Sequence, residues 1–345
     1  MPLAVGGAAA LVAAGALSAG ASTALPSRTA AQLLADLGQV TVPGYTGTVV
    51  QKATLLQESQ RNAGGPLSLS TLMAGTNTIK VWYGGRDRER IAVLDATGEN
   101  DMYRDGQELW QWDSSTHEAR FQSMTRTAAV DTVDATPIPV DPTTITPDEL
   151  AEHVLAAIGP STSVEVASPS TVAGRDVYRL VVTPPESSSR VGSIVIALDG
   201  QTRMPLAAQV YARGITRAPA IDLAFTHIVY ETPDDQTFTF VPPPGASIST
   251  YDTVDPNLAS NPDPVLGLVS TKTVGSGWTR VAVITPPNAA ADQITAPFDP
   301  ALLTTVSGPW GTGKLLQTAL LTVLFDDDGR IVIGAVDPGN LYRAL

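Results

Sequence analysis

A glycine-rich segment near the end of the chain has the spacing of a phosphate-binding loop. Residues Gly308 to Lys314 satisfy the pattern G-x-x-x-x-G-K, in which backbone amides surround a phosphate and the lysine reaches it. Position 315 is Leu, however, where a serine or threonine hydroxyl must reach the magnesium ion. The apolar run before Asp326 follows by only about a dozen residues, too few for a helix and a returning parallel strand. The sequence therefore predicts a turn here and argues against a nucleotide-hydrolysing enzyme.

Aspartates and histidines are the other side chains with catalytic or metal-binding potential. Asp326–Asp328 precede Gly329 but lack the alternating spacing and distal glutamate of a calcium loop, which favours a hairpin turn. His117, His153 and His227 fall in a predicted turn, helix and strand, with no pair four residues apart. The sequence has no G-x-S-x-G motif and no cysteine. We therefore expect no catalytic residue, no metal and no cofactor.

Large aromatic rings and arginines form the remaining candidate site. Trp110 and Trp112 share one face of a predicted hairpin strand, because successive side chains of a strand alternate between faces. Such rings are consistent with ordinary core filling, and equally with a curved sheet that receives an apolar ligand when covering helices move. Under the second interpretation, the predicted ligand-binding residues are Val81, Tyr83, Arg88, Arg90, Ile91, Val93, Tyr103, Trp110 and Trp112.

Two series of short strands should position these residues. Strands spaced by about ten residues and separated by glycine- or aspartate-containing turns predict antiparallel meanders. The first series covers residues 76–124 and the second covers 163–231. Capped amphipathic helices are predicted at 30–37 and at 146–158, where Thr146, Pro147 and Glu149 have the spacing of a capping box. The fold class is therefore mainly β with helices.

Composition limits the partners of the chain. It has 21 basic and 34 acidic residues, a net charge of −13, 43% hydrophobic residues and no cysteine. Because of this negative charge, nucleic acid is a poor partner for the chain as a whole. The lack of cysteine excludes thiolate chemistry. The segment from Met1 to Pro26 has no charged side chain, so we predict an exported protein. A cleaved signal peptide is favoured over a retained anchor, although no basic residues precede the apolar run.

Shifts in composition predict four parts of the chain. Residues 1–26 form the signal peptide or anchor, and residues 27–248 form a sheet domain. A linker rich in proline, aspartate and serine follows at 249–275, and residues 276–345 form a small α+β subdomain. Within that subdomain, a helix is predicted at about 301–306 and a strand or helix at 315–325.

Two segments of the first meander resemble the outer-membrane lipoprotein carrier superfamily (LolA-type). They are Trp82-Tyr83-Gly84-Gly85-Arg86-Asp87-Arg88-Glu89-Arg90-Ile91 and the run from Asp101 to Trp112. The match looks closest to the branch found in high-GC Gram-positive envelopes. The second meander and its ending at 238–246 resemble the sigma-E regulator relatives (RseB-type) of the same superfamily, and the similarity runs from about 27 to 248.

The resemblance implies an open, strongly curved antiparallel half-barrel whose concave apolar face is plugged by helices and receives acyl chains. The functional arginine of that superfamily matches Arg90, with Arg88 as the alternative register. We therefore predict a non-enzymatic carrier or chaperone for lipids or acylated lipoproteins. One alternative is an envelope-stress module that senses lipid and binds a membrane-bound anti-sigma factor. A less favoured alternative is an extracellular enzyme.

Overall fold

The structure, a computed structural model, describes residues 25–37, 42–55, 74–94, 98–123, 146–147, 151, 158–159, 161–251, 270–285 and 300–345. The strands are β1 (Tyr45–Thr54), β2 (Ala74–Tyr83), β3 (Arg88–Leu94), β4 (Glu99–Asp105), β5 (Glu108–Asp113), β6 (Glu118–Ser123), β7 (Ser163–Val172), β8 (Arg175–Thr183), β9 (Val191–Asp199), β10 (Pro205–Ala212), β11 (Ile221–Val229), β12 (Ser247–Tyr251), β13 (Ser270–Val274), β14 (Val281–Thr285), β15 (Leu303–Gly308), β16 (Gly311–Gln317), β17 (Thr322–Asp326) and β18 (Ile331–Gly334). The helices with described bounds are α1 (Ala30–Leu37) and α2 (Pro338–Tyr342).

The predicted mainly β fold with an antiparallel sheet is confirmed. Twelve strands form one open sheet in the order β12-β6-β5-β4-β3-β2-β1-β11-β10-β9-β8-β7. All neighbours are antiparallel except β12, which pairs with β6 in parallel. Strand β7 also contacts β11, which requires the sheet to curl strongly at that end because flat neighbouring strands lie about 4.8 Å apart.

One face of this sheet is lined with buried, mostly apolar side chains across six neighbouring strands, and we call it the apolar face. The register carries one row of its side chains across six strands, from β2 to β8. The members of this row are all buried, and they are Asn77, Gln51, Leu223, Ala208, Ile196 and Leu180. The two polar members are hydrogen-bonded to each other, with Asn77 Nδ2 donating to Gln51 Oε1 at 3.4 Å.

Helix α1 packs on the apolar face. Its first turn is closed by a reciprocal capping box, in which the Thr29 amide donates to Gln32 Oε1 and the Gln32 amide donates to Thr29 Oγ1. The predicted apolar stripe places Leu33 and Leu37 in one buried cluster with Leu180 and Ile196. The helix therefore covers the sheet as predicted.

The second predicted helix is described at only a few positions. Pro147 and Ala151 are helical, and Ala151 is buried in the same cluster as α1. Most of the span 146–158, the whole of 1–24 and His153 lie outside the described residues.

A second sheet of six strands, in the order β13-β14-β18-β17-β16-β15, follows in the chain. It packs against the first sheet through Trp278 and Leu320, which belong to the cluster that contains α1. The indole nitrogen of Trp278 donates to Thr162 Oγ1 at 3.0 Å. An isolated bridge between Ser189 and Val336 also joins the two sheets.

Several local predictions in the C-terminal part need correction. The predicted helix at about 301–306 is wrong, because Leu303–Gly308 is strand β15 and pairs with β16. The segment 249–275 contains the end of β12 and all of β13. The predicted turns are confirmed: Gly308 pairs with Gly311 across the connection between β15 and β16, and Asp326–Gly329 connects β17 to β18.

An aromatic ring on the apolar face leaves no space for a side chain at Gly47. A Cβ atom at this position would lie 2.4 Å from Phe225 Cε1. We predict that Gly47→Ala lowers the free energy of unfolding by about 1–3 kcal/mol through this overlap. Combining it with Phe225→Leu should recover part of the loss, as measured by urea denaturation.

Gly159→Ala is the matched control, because no described residue lies within 4 Å of a Cβ atom there. Equal effects of Gly47→Ala and Gly159→Ala, or simple additivity of Gly47→Ala with Phe225→Leu, would contradict the proposed packing.

Candidate functional site

The nine predicted ligand-binding residues divide between the two faces of the first sheet. On β2 and β3, Val81 pairs with Ile91 and Val93 pairs with Ile79. Val81, Tyr83, Ile91 and Val93 therefore lie on the apolar face. On the opposite face Arg90 pairs with Tyr103, and Tyr103 pairs with Trp110. Arg88 and Trp112, each two residues from a member of this row, complete what we call the aromatic face.

The members of the apolar face are packed in the sheet core. Val81, Ile91 and Val93 have exposed fractions of 0%, 1% and 2%. The Tyr83 ring stacks on Tyr45 at a centroid distance of 5.3 Å. An acyl chain would reach this part of the face only by replacing the side chains that now pack against it.

Arg90 is held between two rings on the aromatic face. Its guanidinium carbon lies 4.6 Å from the ring centroids of both Trp82 and Tyr103. Its Nε and Nη2 donate to Asp101 Oδ1 at 3.0 and 2.9 Å, and Nη2 also donates to Glu99 Oε1 at 3.4 Å. The charge of Arg90 is thus balanced by side chains of β4, which leaves this arginine already paired in the absence of ligand.

The segment that follows β11 crosses the aromatic face. Phe240 lies 5.0, 5.3 and 5.9 Å from the ring centroids of Tyr103, Trp110 and Trp112. Asp235, earlier in the same segment, forms an ion pair with Arg88. The segment then reaches the edge of the sheet as β12. Phe240, Asp101 and Trp82 are central residues that the sequence-based site did not include.

Two exposed apolar side chains lie beside these rings. Val241 follows Phe240 and is 77% exposed, and Ile248 of β12 is 55% exposed. The register runs from Ile248 through Ala119 to Trp112, so Ile248 belongs to the aromatic face. This edge of the sheet therefore presents apolar surface to solvent.

Burial changes the acid–base properties of the aromatic face. Burial raises the pKa of Asp101 to about 6, although the nearby Arg90 opposes the shift. Burial and the neighbouring Asp101 carboxylate also raise the pKa of Tyr103 to about 12. Both shifts follow from the removal of these side chains from water, which outweighs the opposing effect of Arg90.

Within the described ranges, no three His, Cys, Asp or Glu side chains are placed to hold a metal ion. His117 lies in the turn between β5 and β6 with a φ of 58°, and His227 lies exposed on β11. In the same described part of the chain, no helix is both long and apolar enough to span a bilayer.

Comparison with known proteins finds similar chain folds. No family model and no curated protein matches this chain. The structure of the Pseudomonas aeruginosa MucA/MucB complex is similar with a TM-score of 0.46 and 18% identity, covering 91% of this chain and 96% of that one. A LolA superfamily protein from Nitrosomonas europaea is similar with a TM-score of 0.25 and 11% identity, covering 62% and 99%. At such low identities and TM-scores, these similarities do not assign a function to this chain.

We predict that the Asp101 carboxyl titrates near pH 6, as carbon-13 NMR of the folded protein would measure. Because this pKa exceeds the ordinary value of 3.8, the folded state holds the proton more tightly than the unfolded chain. The contribution of this group to the free energy of unfolding is therefore largest below about pH 4 and declines as the pH rises to about 6.

Arg90→Gln removes the adjacent cation and should raise the pKa of Asp101 further. Arg88→Gln is the control. Its partner Asp235 has an 86% exposed side chain, so the loss of this weak ion pair should leave the titration midpoint of Asp101 unchanged. A midpoint near pH 4 in the native protein, or no change in Arg90→Gln, would show that the ion pair is not shielded from water.

Proposed function

We propose that this chain is a non-enzymatic, extracytoplasmic protein of the LolA-type superfamily that binds the acyl chains of lipids or lipoproteins on its apolar face. The observation that carries the proposal is a face of buried, mostly apolar side chains that crosses six strands and is covered in part by one short helix. Val81, Tyr83, Ile91 and Val93 are the predicted residues that would contact the acyl chain.

The apolar contacts that α1 makes with the sheet are few enough for an acyl chain to replace them. The helix has eight residues and buries two of them, Leu33 and Leu37. Returning two leucine side chains to water costs about 3–6 kcal/mol, whereas each buried methylene of a ligand recovers about 0.8 kcal/mol. About eight methylenes would therefore offset the loss, and common membrane acyl chains are longer than that.

An ion pair holds α1 at one end. Asp36 lies 3.2 Å from Arg203 Nε and 3.5 Å from Arg28 Nη1, and Asp36 is the only one of these residues within the helix. Arg203 also stacks on Tyr178 of the sheet, with its guanidinium carbon 5.0 Å from the ring centroid. The pair fixes the helix without contributing to the apolar contact, so its removal loosens α1 and leaves the ligand surface intact.

A second candidate function is binding of a membrane-bound regulatory protein through the aromatic face. The exposed Val241 and Ile248 beside Trp112 favour it, because aromatic rings and arginines are enriched at the centres of protein interfaces. Val241→Asp should then abolish co-purification of such a partner while acyl binding persists. Retention of the partner by this variant would eliminate the aromatic face as its binding surface.

The acyl-binding proposal is tested with a fluorescent fatty acid and purified, delipidated protein. We expect saturable binding by the native chain. Asp36→Ala should tighten that binding by up to about fivefold, since a partly exposed ion pair contributes about 0–1 kcal/mol to helix docking.

Asp235→Ala is the matched control, because it removes an ion pair on the aromatic face and should leave fatty-acid affinity unchanged. Trp112→Ala should also leave it unchanged. The proposal is overturned if neither the native chain nor Asp36→Ala takes up the fatty acid. It is also overturned if Asp36→Ala and Trp112→Ala each bind the fatty acid more weakly than the native chain.

A further inference from the structure

A depression of about 370 Å³ lies where the two sheets meet, away from both faces discussed above. The connection between β8 and β9 contributes Glu186 and Ser188 to its wall. The second sheet contributes Val281 of β14, and the C-terminal segment contributes Asn340 and Arg343. Its volume falls within the range of small-molecule sites, about 300–1,000 Å³.

The loop that carries Glu186 and Ser188 is fixed by bonds to both sheets. Arg213, at the end of β10, donates to the carbonyl oxygens of Glu186 at 2.9 Å and Ser189 at 2.6 Å. From the segment between β18 and α2, the amide of Asp337 donates to the carbonyl of Ser188 at 3.0 Å. The wall of the depression is therefore rigid before any ligand arrives, which lowers the entropic cost of binding.

Two opposite charges line the depression without neutralising each other. Glu186 Oε2 is shielded from solvent and has no hydrogen-bond partner among the described residues. Arg343 donates from Nε to the carbonyl of Gly339 at 3.1 Å and from Nη2 to Asn340, both in its own segment. Among the ion pairs of the described residues, none involves Glu186 or Arg343.

A carboxylate oxygen that is shielded from water and lacks a donor is unfavourable unless a ligand supplies one. We propose that this depression binds a zwitterionic group, whose ammonium is held by Glu186 and whose carboxylate or phosphate is held by Arg343. Val274 and Val281, which also line the depression, would contact the carbons between the two charges.

This inference goes beyond acyl binding and does not depend on it. The same chemistry belongs to a free α-amino acid and to a phosphoethanolamine head group, which differ in the anion and in the spacing of the charges. Glycine and O-phosphoethanolamine therefore serve as the two soluble probes. Ethylamine and inorganic phosphate serve as probes that carry one of the two charges alone.

Isothermal titration calorimetry with the full chain tests the proposal. We expect one of the zwitterions to bind at least about tenfold more tightly than either single-charge probe. Glu186→Gln and Arg343→Gln should each reduce that affinity at least about tenfold. The matched controls, Glu165→Gln and Arg217→Gln, change exposed residues outside the depression and should leave the affinity unchanged.

Tighter binding of glycine would indicate that the site takes a free amino acid. Tighter binding of O-phosphoethanolamine would indicate that it takes a lipid head group. The proposal is overturned if neither zwitterion binds saturably, or if ethylamine or phosphate alone binds as tightly. It is also overturned if zwitterion binding survives both Glu186→Gln and Arg343→Gln. Circular dichroism of each variant checks that the fold is retained, and fatty-acid uptake should be the same in all of them.

Discussion

The need to cover one wide apolar face organises this molecule. A row of buried side chains crosses six strands of the first sheet, and water would contact it if nothing packed there. Helix α1 and the second sheet meet this need from different directions, since Leu33, Trp278 and Leu320 all belong to one buried cluster. Because the burial of apolar area drives folding, the same surface that requires cover is the one that a ligand with apolar chains would compete for.

The opposite face of the sheet has a different character. Arg90 is already paired with Asp101 and enclosed by Trp82 and Tyr103, so its charge is satisfied within the protein. Phe240 covers the neighbouring rings from a segment that follows β11. The two proposed functions therefore involve different faces: acyl chains would bind the apolar face, and a protein would bind the exposed edge near Ile248.

Much of the fold could be predicted from local patterns, because strand alternation, turn glycines and the cap at Thr29 are properties of short segments. In contrast, the division of the site residues between the two faces of the sheet could not be predicted from local patterns. Which faces meet depends on the register across neighbouring strands, and a bulge between Thr48 and Val49 in the pairing with β11 shifts that register. The sequence therefore identified Val81 and Trp110 as candidates without showing that they lie on opposite faces. Likewise, 303–308 contains too few residues to distinguish helix from strand by periodicity, and its pairing with β16 decides the outcome.

Photolabelling with a diazirine-bearing fatty acid, mapped by mass spectrometry, tests the central claim most directly, because it reports which face the acyl chain contacts. The account predicts labelled residues on the apolar face, at Val81, Ile91 or Val93, and on α1 near Leu33. It also predicts that an unlabelled fatty acid competes for these positions. Labelling confined to Trp110, Trp112 and Phe240, or labelling that excess unlabelled fatty acid does not suppress, would contradict it.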